Sequence, residues 1–97
     1  MKTKEKYLHI LSDFQKGRGS YYGITHLGIF GSVARDEHTT SSDIDICYEG
    51  DSISLFKLAE LKEELETLLG CQVDIVRIRE TMNQILKKRI TKESIYV

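Results

Sequence analysis

The chain contains no proline and no tryptophan, and it has only two cysteines among its 97 residues. Cys47 and Cys71 lack the Cys-x-x-Cys spacing of many metal and redox sites, so both are expected to be free, reduced thiols. The longest apolar runs are far shorter than the roughly 20 residues that cross a bilayer. Because the charged amino terminus is followed by no apolar signal segment, the sequence predicts a cytoplasmic protein without a membrane partner.

An excess of charge of one sign is also lacking. The formal net charge is −1, which gives no global field for attracting nucleic acid, so nucleic acid is not expected as a direct partner. Apolar residues make up 40% of the chain and charged residues 30%, the balance of an ordinary folded protein. A chain of this length holds one modest core, so residues 1–97 are expected to form a single domain.

Hydrophobic periodicity divides the chain into alternating helices and strands. Helical spacing marks residues 4–16, 53–69 and 82–90, and residues 33–35 look like the first turn of a short helix. Strand patterns mark three segments, residues 24–30, 43–48 and 72–78. This order predicts an α/β (α+β) two-layer sandwich, in which a small mixed β-sheet carries helices packed mainly on one face. Thr81 and Gln84 fit a capping box for the last helix, and residues 91–97 give no clear pattern.

Two aspartates alternate with apolar residues in the second predicted strand. Asp43 and Asp45 share one face of that strand, because residues two apart point the same way. Side by side, the two carboxylates repel each other, and a pair of Mg²⁺ ions would offset that cost. Two such ions can clamp the attacking and leaving oxygens of a phosphoryl transfer. The alternative is a pair of aspartates on the solvent face of an edge strand.

A Gly-Ser pair ends the first predicted strand. Gly31 lets the backbone approach a ligand closely, and free N–H groups beside the Ser32 hydroxyl would form a phosphate cradle. The alternative is an ordinary strand-to-helix turn that Ser32 caps. Arg35, one short turn later, could reach a triphosphate or could pair with a neighbouring acid, Asp36 or Glu37.

A third aspartate lies on the third predicted strand. If that strand neighbours the second one, Asp74 joins the acidic face, and three carboxylates could bind two metal ions and activate an attacking hydroxyl. The alternative is a solvent-facing aspartate. A basic cluster near the carboxyl terminus, either a solvated helix face or a contact for a partner, nucleic acid or triphosphate, comprises Lys87, Lys88, Arg89 and Lys92.

Together these residues resemble the nucleotidyltransferase superfamily that includes DNA polymerase beta. Its signature is Gly-Ser, then Asp-x-Asp, then a third Asp on a later strand, and here ten residues separate Ser32 from Asp43. The string Phe-Gly-Ser-Val-Ala-Arg over 30–35 looks like the minimal nucleotidyltransferases of bacteria and archaea, although Asp36 stands where many relatives have glycine. The resemblance implies a polymerase beta-like fold with specific site residues. Asp43, Asp45 and Asp74 would be catalytic and hold the metal, and Gly31, Ser32 and Arg35 would bind the nucleotide.

Minimal nucleotidyltransferases are commonly antitoxins paired with a small helical HEPN-domain toxin. The resemblance therefore implies Mg²⁺-dependent transfer of AMP from ATP to a protein hydroxyl, a tyrosine of a cognate HEPN toxin, with two Mg²⁺ ions. Two alternatives remain open at this point. The chain could be a non-catalytic antitoxin that neutralises its partner by direct contact, or a nucleotidyltransferase acting on a small molecule or RNA.

Overall fold

The computed structural model describes residues 2–97. The α-helices are α1 (Lys4–Arg18), α2 (Gly31–Ala34), α3 (Leu55–Leu69) and α4 (Gln84–Glu93). A 3₁₀ turn, Gly19–Tyr22, follows α1. The strands are β1 (Ile24–Phe30), β2 (Ile44–Gly50), β3 (Val73–Arg77) and β4 (Ile95–Tyr96). In the described part of the chain, no helix is both long and apolar enough to cross a membrane.

The four strands form one sheet in the order β3-β2-β1-β4. β1 is antiparallel to both β2 and β4, whereas β2 and β3 run parallel. A parallel pair needs a crossover connection, and α3 supplies it between β2 and β3. The mixed sheet predicted from the sequence is therefore confirmed.

The main core lies between one face of the sheet and the helices α1 and α3. Both helices contribute fully buried leucines, among them Leu11 and Leu61, which pack against strand residues such as Leu27 and Ile46. Cys47 points to the opposite face, where a smaller cluster joins it to Met82 before α4 and to Ile90 within α4. The prediction of helices mainly on one face is thus confirmed, with α4 alone packing on the other. Both cysteines are free.

The start of α4 differs from the prediction. Asn83 is its N-cap, because the Asn83 side chain accepts a hydrogen bond from the Leu86 N–H at 3.0 Å. The Gln84 amide instead donates to the Glu80 and Met82 carbonyls, so it cannot complete the predicted capping box. At the other end, the unassigned tail extends α4 to Glu93 and then forms β4.

Candidate active site

The carboxylates of the second and third strands meet on the sheet face opposite the main core. Asp45 of β2 and Asp74 of β3 are register partners in the parallel pair, so their side chains share a face. Asp43 lies directly before β2, two residues from Asp45, and the apolar Ile44 and Ile46 between and beyond them are buried on the core side. The alternation of acidic and apolar residues therefore concentrates negative charge at one place.

Asp45 lies at the centre of this charge. Burial raises the pKa of Asp45 above its usual range, and the negative charges of Asp74 and Asp43 raise that pKa further. The positive charge of Arg35 acts on the same pKa in the opposite direction. Since the ionised form of Asp45 is disfavoured, a cation bound at this point would offset both the desolvation and the repulsion.

Gly31 is required beside Asp45 for a steric reason. Phe30, the last residue of β1, is the register partner of Asp45, so the chain turns into α2 next to that carboxylate. Gly31 has a φ of +74°, and a Cβ at this position would overlap a carboxylate oxygen of Asp45. Only glycine combines this left-handed backbone with so close an approach.

Ser32 and Arg35 follow Gly31 on the short helix α2. The N-cap of α2 is Phe30, so Ser32 lies within the helix and is not the capping residue that the alternative interpretation required. Arg35 pairs with an acidic neighbour, which was the alternative to a phosphate contact: its Nε lies 3.1 Å from Oε1 of Glu37. Its Nη1 also contacts Glu93 of α4 at 3.2 Å, which the sequence did not indicate.

A pocket opens between the acidic face and α4. Its sheet side and α2 side are lined by Phe30, Gly31, Ser32, Arg35 and Asp45. The opposite wall comes from α4, whose lining residues are Leu86, Arg89, Ile90 and Glu93. Of the predicted basic cluster, only Arg89 lines this pocket, and Lys87 instead pairs with Glu80 at 3.4 Å.

A family model described as "Polymerase beta, Nucleotidyltransferase" matches residues 19–97, a range that includes every residue of this pocket. The chain belongs to this nucleotidyltransferase family. The match extends from the end of α1 to the last residue, so the whole sheet and the acidic face fall inside it.

Full-length relatives of this nucleotidyltransferase are also found. The protein adenylyltransferase MntA of Thermococcus cleftensis is 37% identical over 98 residues, which cover 100% of this chain and 98% of that protein. A solved structure assigned provisionally as a minimal nucleotidyltransferase has a TM-score of 0.74 at 30% identity, covering 97% of this chain and 95% of that one.

A more distant structural match comes from a toxin–antitoxin complex. A structure of the tri-AMPylated HEPN toxin of Shewanella oneidensis with MNT antitoxin contains a chain that matches with a TM-score of 0.67. At 19% identity, with 97% of this chain and 71% of that chain covered, this match supports the fold alone.

The donor atoms of the nucleotidyltransferase site fit Mg²⁺. Within residues 2–97, no three carboxylate, imidazole or thiol side chains are close enough to surround one ion. Mg²⁺ is commonly held by only one or two carboxylates together with substrate phosphates, so a protein cage of three groups is not needed. The oxygens of Asp43, Asp45 and Asp74 are of the kind that this ion prefers.

Proposed function

We propose that this nucleotidyltransferase transfers AMP from ATP to a protein hydroxyl, a tyrosine of a cognate HEPN toxin, and thereby acts as the antitoxin of a toxin–antitoxin pair. One observation carries the proposal: Gly31 is fitted against Asp45, and Asp45 is paired in register with Asp74. A glycine turn beside an acidic face brings a phosphate-binding backbone next to groups that hold a cation.

The similar proteins support this acceptor. The full-length relative from Thermococcus cleftensis is named a protein adenylyltransferase. The complex from Shewanella oneidensis joins an MNT antitoxin to a HEPN toxin that carries three AMP groups. We also propose the cytoplasm as the compartment, because two free thiols fit a reducing environment.

Each candidate residue has a role in this reaction. The Gly31 N–H and the Ser32 hydroxyl would donate to phosphate oxygens, and the Arg35 guanidinium would neutralise part of their charge. Asp43, Asp45 and Asp74 would hold Mg²⁺, as two ions by the family resemblance. When bound, Mg²⁺ supplies neutralisation of the charge that develops on the transferred group.

The acceptor hydroxyl then displaces pyrophosphate. Its oxygen forms a bond to the α-phosphorus of ATP while the bond from that phosphorus to the bridging oxygen of the β-phosphate breaks. Pyrophosphate leaves with the electron pair of the broken bond. Asp74 is exposed on the acidic face and is the carboxylate we assign to take the hydroxyl proton.

Labelled ATP tests the reaction. The purified chain is incubated with a cognate HEPN toxin, Mg²⁺ and ATP that carries the label on either the α- or the γ-phosphate. We expect the toxin to retain the α-label only, and a toxin whose acceptor tyrosine is replaced by phenylalanine to retain none. Transfer of the γ-label, or no transfer of either label, would contradict the proposal.

A second comparison distinguishes neutralisation by AMP transfer from neutralisation by direct binding alone. A double variant, Asp43→Asn with Asp45→Asn, keeps the surface of the protein but removes the proposed cation ligands. If it still neutralises the toxin as well as the wild type does, stoichiometric binding is the function. We expect neutralisation to be lost.

A further inference from the structure

Glu93, the last residue of α4, reaches into the candidate nucleotide pocket. Its Oε2 accepts a hydrogen bond from the Gly31 N–H at 3.3 Å, and its Oε1 lies 3.2 Å from Nη1 of Arg35. The same oxygen lies 3.5 Å from Nε of Arg89, one helical turn earlier on α4. The Glu93 side chain is only 20% exposed.

The three donors around Glu93 are those that an anionic phosphate oxygen would use. A backbone N–H at a glycine turn and two guanidinium groups bind carboxylates and phosphates alike, because both present charged oxygens in a similar geometry. Two of the donors, the Gly31 N–H and Arg35, are the groups to which the proposed function assigns the nucleotide phosphates. The Glu93 carboxylate and a phosphate oxygen cannot occupy the Gly31 N–H together.

The location is otherwise unfavourable for another carboxylate. Glu93 and Asp45 line the same pocket, so two carboxylates face one cavity. Two carboxylates at close range repel each other, and positively charged donors offset that repulsion. Gly31, Arg35 and Arg89 are the groups that compensate Glu93 here.

We propose that Glu93 is an internal substitute for a nucleotide phosphate, which occupies the Gly31 N–H and both arginines until a nucleotide displaces it. This inference rests on the proposed function, because it assumes that these donors bind phosphate. Glu93 therefore competes with the triphosphate for these donors and sets how tightly the triphosphate binds.

We expect the displacement to be a rotation of the Glu93 side chain, because the backbone on both sides of it is hydrogen-bonded. Ile95, two residues after Glu93, is held in β4 as the register partner of Ile29. The Ser94 N–H donates to the Ile90 carbonyl at 2.9 Å, which closes the end of α4. With these backbone contacts in place, a rotation of the Glu93 side chain is the smallest movement that frees the Gly31 N–H.

The affinity of the chain for a nonhydrolysable ATP analogue, AMP-PNP with Mg²⁺, tests the inference by calorimetric titration. Glu93→Gln keeps the shape of the side chain and removes its charge. The variant is expected to bind AMP-PNP about three- to tenfold more tightly, since a charge-assisted contact that competes with phosphate is weakened. Binding of adenosine, which has no phosphate, is expected to be unchanged.

Two control variants distinguish an effect of the Glu93 position from a general effect of removing negative charge. Glu80→Gln changes the net charge by the same amount at a side chain that is 95% exposed. Glu37→Gln removes the other carboxylate from Arg35 without affecting the Gly31 N–H. Both are expected to change AMP-PNP affinity by no more than about twofold, because they lose only exposed ion pairs.

The inference is overturned if Glu93→Gln binds AMP-PNP no more tightly than the wild type, or if either control gains affinity equally. A folded Glu93→Gln variant with weaker binding also overturns it, since Glu93 would then support the arginines without competing. Thermal unfolding of every variant checks the fold. A wild-type chain that binds no AMP-PNP contradicts the proposed function itself, which distinguishes the two failures.

Discussion

Gly31 and Asp45 illustrate how single residues build this site. The backbone of Gly31 is left-handed at a φ of +74°, and the space that a side chain would need is filled by the Asp45 carboxylate. Asp45 in turn is half-buried. Burial is the largest cause of its raised pKa, and the charges of two neighbouring aspartates raise that pKa further. Gly31 and Asp45 thus lie together where we propose that a cation and a phosphate meet.

Asp36 is the residue at which backbone strain can be relieved. It has a φ of +61°, directly after the C-cap of α2, a position that favours glycine. We expect Asp36→Gly to raise the free energy of unfolding by about 0.5 kcal/mol, because glycine adopts this conformation without steric cost. Chemical denaturation measures the change. Asp36→Ala is the control, and an equal gain from alanine would show that charge, and not the backbone, is responsible.

Asp45→Asn is expected to raise the melting temperature in a buffer that contains EDTA. The substitution keeps the shape of the side chain and removes a charge that burial and the neighbouring aspartates disfavour. Differential scanning calorimetry of the wild type and the variant gives the comparison. A lower melting temperature for the variant would mean that the Asp45 charge stabilises the fold.

At the scale of elements, α4 decides the shape of the pocket. It packs on the acidic side of the sheet through Ile90, and its carboxyl end brings Glu93 to Gly31. The helix begins at Gln84 because Asn83 caps it, and not at the Thr81 capping box that the sequence favoured. The helical spacing that predicts α4 also places Ile85 on its apolar face, but Ile85 is 80% exposed.

Removing the cap should destabilise α4. Asn83→Ala leaves the Leu86 N–H without its acceptor, so we expect a loss of about 1 kcal/mol in the free energy of unfolding. Thr81→Ala is a matched control two residues earlier, at an exposed side chain, and should change stability by less than about 0.5 kcal/mol. Urea unfolding curves of the two variants measure these free energies. Equal losses would indicate that Thr81 also caps the helix.

An ion pair joins α1 to α3 on the far side of the sheet. Arg18 donates twice to the Glu64 carboxylate, at 3.1 Å each, and the Tyr22 hydroxyl donates to it at 2.8 Å. The Arg18 hydrogen bonds hold the pKa of Glu64 below its ordinary value of 4.5. A lowered pKa stabilises the folded state above pH 4.5, and this contribution is lost as the pH falls through the lower folded-state pKa.

Glu64→Gln should therefore reduce stability in a pH-dependent manner. We expect a lower melting temperature than the wild type at pH 7 and a difference that narrows as the pH falls below 4.5. Melting curves measured across this range give the result. A difference that stays constant with pH would show that Glu64 contributes by packing and not by its charge.

At the scale of the whole molecule, the sequence predicts the elements that carry strong local patterns. The limits of β1 agree residue for residue, and α3 begins only two residues later than predicted. The two residues of β4 form a strand only because β1 offers an edge, so no local pattern could reveal them. The Gly31–Glu93 contact joins residues 62 apart in the chain, which periodicity cannot foresee.

The acidic face of the candidate site could be predicted from the sequence, whereas the pocket wall formed by α4 could not. Strand periodicity places Asp43 and Asp45 on one face, and a parallel neighbour places Asp74 opposite Asp45, as the structure has it. The roles of these residues remain predictions. The α4 wall needed the three-dimensional structure, since Leu86, Arg89 and Glu93 belong to a helix whose start and end both differ from the prediction.

Intact mass of a cognate HEPN toxin, measured after incubation with ATP, Mg²⁺ and this chain, decides whether the acidic face performs AMP transfer. With the wild type, the toxin should gain the mass of one or more AMP groups. With Asp45→Asn, shown by its melting curve to be folded, the rate should fall by about 100-fold or more. A toxin that gains AMP at the wild-type rate with the folded Asp45→Asn variant would contradict the assignment.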